Sequence, residues 1–161
     1  MNLNRYLKMP NAVWRDERAA SYRFIARAYN ALGNREQALS NLLMAAAEAP
    51  QLREPWLELA AQAYSDGDFE GVAYFSKRAL SITERTKTYI TEPDAWGARP
   101  YDYASLGYFY TGRPDKALEM VDAALKLDPA DKRLIKNRKL IEGSIRAANN
   151  RNGSNAESEK A

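Results

Sequence analysis

Cysteine and histidine are both missing from this chain of 161 residues. Without cysteine there is no disulfide, no thiolate metal site and no thiol nucleophile. Without histidine the commonest general base and the commonest metal ligand are gone. Catalysis would have to rest on carboxylates, Lys, Tyr or Ser, and no paired-carboxylate constellation, phosphate-binding glycine loop or nucleophile elbow accompanies them. Long apolar runs are absent too. The longest spans Leu42 to Ala47, far short of the roughly 20 residues that cross a bilayer. The opening residues, Met1 to Lys8, have no apolar signal core, so a cytoplasmic address is the default expectation. These absences point away from an enzyme, a resident cofactor, a bound metal or a membrane span.

What is present is a globular composition, 45% hydrophobic and 28% charged, with a formal net charge of +3. The charge is segregated. Residues 1–35 hold seven Lys or Arg against two acids, residues 36–131 hold nine against sixteen, and residues 132–146 hold six against one. Two basic ends flank an acidic middle.

Self-similarity organises the chain. Gly33, Gly67 and Gly112 each separate two apolar periodic segments. Alanine recurs at Ala45, Ala79 and Ala124, twelve residues after each glycine. The first two units are offset by 34 residues, and the second and third by 45, which is the same period with eleven residues inserted. Tyr22, Ile25, Ala26, Tyr29, Gly33, Ala38, Leu42, Ala45 and Pro50 in residues 19–52 resemble the tetratricopeptide repeat. So do Tyr101, Ala104, Ser105, Tyr108, Gly112, Ala117, Val121, Ala124 and Pro129 in residues 98–131. The unit 53–86 keeps Trp56, Leu59, Ala60, Gly67 and Ala79 but departs at Ala63, Val72 and Glu84. The resemblance implies an all-α fold, a right-handed α-solenoid of antiparallel helix pairs. Small residues let paired helices approach, glycine takes the left-handed cap, and proline ends the second helix.

The flanks complete an array over residues 11–148. Residues 1–10 read as the end of an incomplete repeat or an N-terminal cap. Residues 132–148 read as a capping helix with Leu134, Ile141 and Ile145 on its apolar face, and residues 149–161 as a disordered polar tail. The insertion, 87–97, carries Tyr89, Ile90 and Trp96 between the breakers Pro93 and Gly97. So much aromatic surface either packs on the array or binds a partner.

Two stretches carry a narrower resemblance. One is Tyr6 to Ala19. The other comprises Leu52 to Ala60, Ser81 to Arg85 and Ala95 to Asp102. Together they are similar to the repeat region that follows the catalytic domain in bacterial and phage family-2 glycosyltransferases. That catalytic domain, an α/β fold with an Asp-x-Asp metal motif, has no counterpart here. The resemblance therefore implies association with glycosyl transfer, not the activity. Asp66-Gly67-Asp68 spells the motif by letters, but it falls where a helix-connecting turn is expected, and Asp and Gly favour turns.

Arrays of this kind usually take ligands on the concave face, lined by the first helix of each unit. That face is expected to present Arg23, Arg27 and Asn30, then Tyr64, then Arg99, Asp102, Phe109 and Tyr110. Tyr89 and Trp96 of the insertion offer a second surface. Arg23 and Arg27, four residues apart on one helix, can reach the same acidic group or pair with a neighbouring carboxylate. The expected role is a non-catalytic scaffold binding a protein or peptide, or associating with itself. Binding of single-stranded RNA or another anion through the basic ends is the alternative, disfavoured by the acidic middle.

Overall fold

The computed structural model describes residues 2–158, with side chains to residue 151. Eight α-helices follow in chain order: α1 (Leu3–Leu7), α2 (Arg15–Ala31), α3 (Arg35–Glu48), α4 (Arg53–Asp66), α5 (Phe69–Leu80), α6 (Arg99–Tyr110), α7 (Pro114–Leu127) and α8 (Lys132–Ser158). A short 3-10 turn, Pro93–Trp96, lies in the long connection before α6. No strand occurs among the described residues. Helices pack against their chain neighbours, giving an α-solenoid of antiparallel pairs.

The three spacing glycines build the same turn. Gly33, Gly67 and Gly112 all have φ of 75°. Past each one, the following amide reaches back five residues: Asn34 to Tyr29, Asp68 to Ala63 and Arg113 to Tyr108. That is the closing bond of a Schellman cap, and a left-handed residue permits it. After the first two turns the next helix starts with its own side-chain cap. Asn34 Oδ1 accepts from Gln37 N, and Asp68 Oδ1 accepts from Gly71 N. Asp66 receives Arg35 and Gln62. The Asp-x-Asp letters thus serve a turn and its flanks.

Small residues set the helix spacing. Ala26, Ala38, Leu42, Ala46 and Leu59 form one buried cluster, with Tyr29, Trp56 and Phe75 packed around it. Ala117, Val121, Ala124, Leu134 and Ile141 form another, which docks the first half of α8. In the degenerate middle unit, Ser76 stands where Leu42 and Val121 stand in the others. Ser76 and Ser105 are both buried, and neither hydroxyl has a hydrogen-bond partner. A small side chain there accompanies a very close approach of α5 and α6. A Cβ added to Gly107 would sit 2.5 Å from the Ala73 amide nitrogen.

α2 begins at Arg15, four residues ahead of the first repeat unit at 19–52. α5 ends at Leu80, so irregular chain runs from 81 to 98 and not only through 87–97. α8 passes residue 148 and continues to Ser158. Residues 149–158, expected as a polar tail, continue that helix, while 159–161 lie outside the described residues. A helix already nucleated and docked extends at low cost per residue, and a polar stretch with one glycine does not halt it. Residues 3–7 are helical but form little more than one turn.

Candidate functional site: the concave groove

The first helices of successive units, α2, α4, α6 and the start of α8, line one face. Three connected hollows run along it. The first, about 550 Å³, is bounded by Asn30, Arg35, Glu58 and Gln62. The second, about 360 Å³, is bounded by Arg23, Arg27, Glu58, Glu92 and Arg99. The third, about 740 Å³, is bounded by Tyr64, Asp94, Arg99, Asp102, Tyr103 and Arg133, among others.

The middle hollow is occupied by the protein itself. The irregular connection crosses the face there and drops Glu92 between the two arginines of α2. Arg23 Nε donates to Glu58 Oε1 at 2.6 Å, and Arg23 Nη2 lies 2.6 Å from Glu92 Oε1. The latter is an ion pair whose angle falls outside hydrogen-bond geometry. Arg27 Nη2 donates to Glu58 at 2.7 Å and to Glu92 at 2.8 and 3.0 Å. The Glu92 amide donates to Glu54 Oε1 at 3.0 Å. Burial pushes the Glu92 carboxyl up, but the charge of Arg23 and the hydrogen bonds and charge of Arg27 outweigh it and hold it below its ordinary value. Burial likewise opposes the charge on Arg27, yet Glu58 and Glu92 raise its pKa overall.

A second anchor fixes the same connection. Arg53, at the start of α4, donates to the carbonyls of Ile82 at 2.7 Å and Ala95 at 3.4 Å. Its guanidinium sits 4.0 Å from the Trp96 ring centroid. Burial lowers the Arg53 pKa. Further out, Tyr89 donates to Glu17 at 3.1 Å and meets Trp14 edge-on at 5.7 Å between centroids. Tyr6 donates to the same Glu17 at 2.6 Å, and this bond pushes its pKa up to about 12.

The expected site residues therefore divide. Arg23 is only 2% exposed and, with Arg27, engaged internally. Trp96 is packed against Arg53, while Tyr89 remains 77% exposed above α2. Asn30 lines the first hollow. Tyr64, Arg99 and Asp102 come together in the third. Arg99 pairs with Asp94 at 2.7 Å, and the buried Asp102 pairs with Arg133 at 2.8 Å. Phe109 is half-buried against the α7–α8 cluster, and Tyr110 stacks on Phe69 at 4.3 Å near the turn end of the units. Those two do not join the third hollow. Tyr103, Asp128 and Arg133 do join it, and the sequence reading passed over them. Tyr103 lies four residues after Arg99 on the same helix face, a signal that was available.

The helix pairs, the repeated Schellman turns and the continuous inner face define the class of this fold, a tetratricopeptide-type α-solenoid. Among solved structures, two of MamA share it. One is 18% identical with a TM-score of 0.66, covering 88% of this chain and 76% of that one. The other is 17% identical with a TM-score of 0.64, covering 86% and 69%. No family model matches the chain, and no curated protein matches it in sequence. No helix among the described residues is long and apolar enough to cross a membrane.

Proposed function

We propose that the chain is a non-catalytic interaction scaffold whose concave groove receives a segment of a partner protein, in association with a glycosyltransferase. The observation that carries this reading is the large open hollow of the third unit, lined by tyrosines and charged side chains on rigid helices. Self-association is the same reading with a second copy as partner. The link to glycosyl transfer rests on the stretches at Tyr6 to Ala19, Leu52 to Ala60, Ser81 to Arg85 and Ala95 to Asp102, which resemble the repeat region of those enzymes. These stretches hold the anchors, Glu17, Arg53, Glu54 and Glu58, of the connection that crosses the groove as a strap. A cytoplasmic setting fits this role.

Binding of single-stranded RNA or another anion through the basic ends is the second reading, disfavoured by the acidic middle and by the aspartates in the groove between them. Light scattering of the purified chain, together with affinity capture from a host lysate and identification of what is retained, tests the scaffold reading. Specific retention of a glycosyltransferase or a stable oligomer is the expected result. A monomer that retains nothing beyond the level of an unrelated helical control overturns it.

A further inference from the structure

The two halves of the concave face differ in what they leave for a ligand. In the middle hollow both arginines of α2 are already matched. Arg23 and Arg27 are matched to Glu58 and Glu92, so an acidic group arriving there meets cations already neutralised. The third hollow is different. Four aspartates line it, Asp94, Asp102, Asp128 and Asp131, against two arginines, Arg99 and Arg133. Arg99 is tied to Asp94, and Arg133 to Asp102 and Asp131. Asp128 is exposed and has no ion-pair partner among the described residues. Both cations are thus spent internally while carboxylates remain in excess.

The walls are also suited to a cation. Tyr64 and Tyr103 lie with centroids 5.8 Å apart, and Tyr64 is 42% exposed. The Arg99 guanidinium already sits 5.8 Å from the Tyr103 centroid. One cation–ring contact is therefore realised within the groove, beside the part-exposed Tyr64 ring. Leu127, 55% exposed on the rim, supplies an apolar flank for the stem of a long basic side chain.

Resting on the scaffold reading, we propose that this third hollow takes a lysine- or arginine-bearing segment of a partner protein. The cation would sit between Asp128 and the Tyr64 ring, with an apolar neighbour beside Leu127. The strap decides this preference. By filling the arginine pair with Glu92 it removes a feature of the groove that would favour an acidic partner, and in the third hollow the residual field comes from the aspartates.

The test is selection from a random twelve-residue peptide library on the immobilised full chain, followed by titration of the enriched peptides at two salt concentrations. Enrichment of Lys or Arg beside an apolar or aromatic residue is expected. Affinity should fall roughly ten-fold with Tyr64→Ala, and by roughly two- to five-fold or more with Asp128→Lys. Both positions are exposed, and a cation near the C-terminus of α7 favours that helix. Unchanged melting of each variant checks that the fold is kept. Enrichment of acidic or uncharged peptides that still depend on Tyr64 would overturn the charge preference and leave the scaffold reading standing. Peptides insensitive to both variants, or no enrichment at all, would overturn the site. Dimerisation abolished by Asp128→Lys, with no peptide preference, would put a second copy in the hollow and overturn it as well.

Discussion

Gly107→Ala sets two effects of opposite sign against each other. In an exposed helix interior the change would stabilise by up to about 1 kcal/mol, because alanine restricts the unfolded chain more than glycine does. Here the new methyl would stand 2.5 Å from Ala73 N, 2.8 Å from Ala73 Cα and 3.0 Å from Ala73 Cβ. Comfortable contacts between such atoms are about 3.5–4.0 Å. Two of the three obstructing atoms are helix backbone, so no side chain can swing aside, and α5 and α6 must separate by roughly 1 Å to restore contact distance. Overpacking of this kind costs typically 1–3 kcal/mol, and a rigid obstacle places the cost towards the upper end. The net expectation is a loss of about 1–2 kcal/mol, or a Tm lower by roughly 2–8 °C for a chain of this length. Gly143→Ala is the matched control. It lies on exposed α8 with nothing within 4 Å of its added methyl, so the helix-propensity gain should appear alone, as a Tm higher by about 2–4 °C. Thermal melting by circular dichroism measures both. A Gly107→Ala protein that melts at or above the wild-type temperature would refute the close-approach argument.

Glu92→Gln tests the strap by its pH dependence. The folded carboxyl lies below its ordinary 4.5, so its contribution is fully present above that value and fades as pH falls through the lower folded pKa. The variant should melt below wild type at pH 7, the gap closing in acid; a gap that stays constant with pH contradicts the assignment. Arg23→Met leaves Glu58 and Glu92 with only the half-exposed Arg27, and since both carboxylates keep that partner and some solvent the cost should fall below that of a fully buried pair, at about 1–3 kcal/mol, readable as a shift of the urea midpoint. Combined with Glu92→Gln, the losses should be less than additive. Ser105→Ala removes a buried hydroxyl that has no partner and should be neutral or stabilising by about 1 kcal/mol; a clear loss would mean that the hydroxyl bonds to something the geometry does not reveal.

The helix pairs were legible because their signals repeat. Gly33, Gly67 and Gly112 announce the same turn at the same offset from the same alanines, and local chemistry is enough to place them. The concave residues were legible as positions on a helix face, and Tyr64, Arg99 and Asp102 line one hollow. Their state was not. Arg23 and Arg27 read either as a pair for an acidic ligand or as partners of a neighbouring carboxylate, and the structure pairs them internally, with Glu58 and Glu92. The hydrogen bond from Arg27 to Glu92 spans 65 residues, and no periodicity marks such a pair. The overrun of α8 was hidden for the opposite reason. Residues 149–158 have no apolar face to betray a helix, and they extend one whose docking is decided by Leu134 and Ile141.

The strap has a consequence for how the array comes apart. In a stack of helix pairs each unit touches only its neighbours, so such arrays can fray from an end, unit by unit. Here the connection following the second unit reaches back to the first, through Glu92 to Arg27 and through Tyr89 to Glu17 across 72 residues, while Asp94 holds Arg99 of the third. The ends are thereby coupled through something other than the stack. Losing the first pair of helices means losing the tie that also steadies the third, so the described array should melt as one cooperative unit with coincident transitions by different probes. That coupling has a kinetic counterpart. Contacts so distant in sequence close a large loop before they contribute, which slows folding relative to an untied stack of the same length.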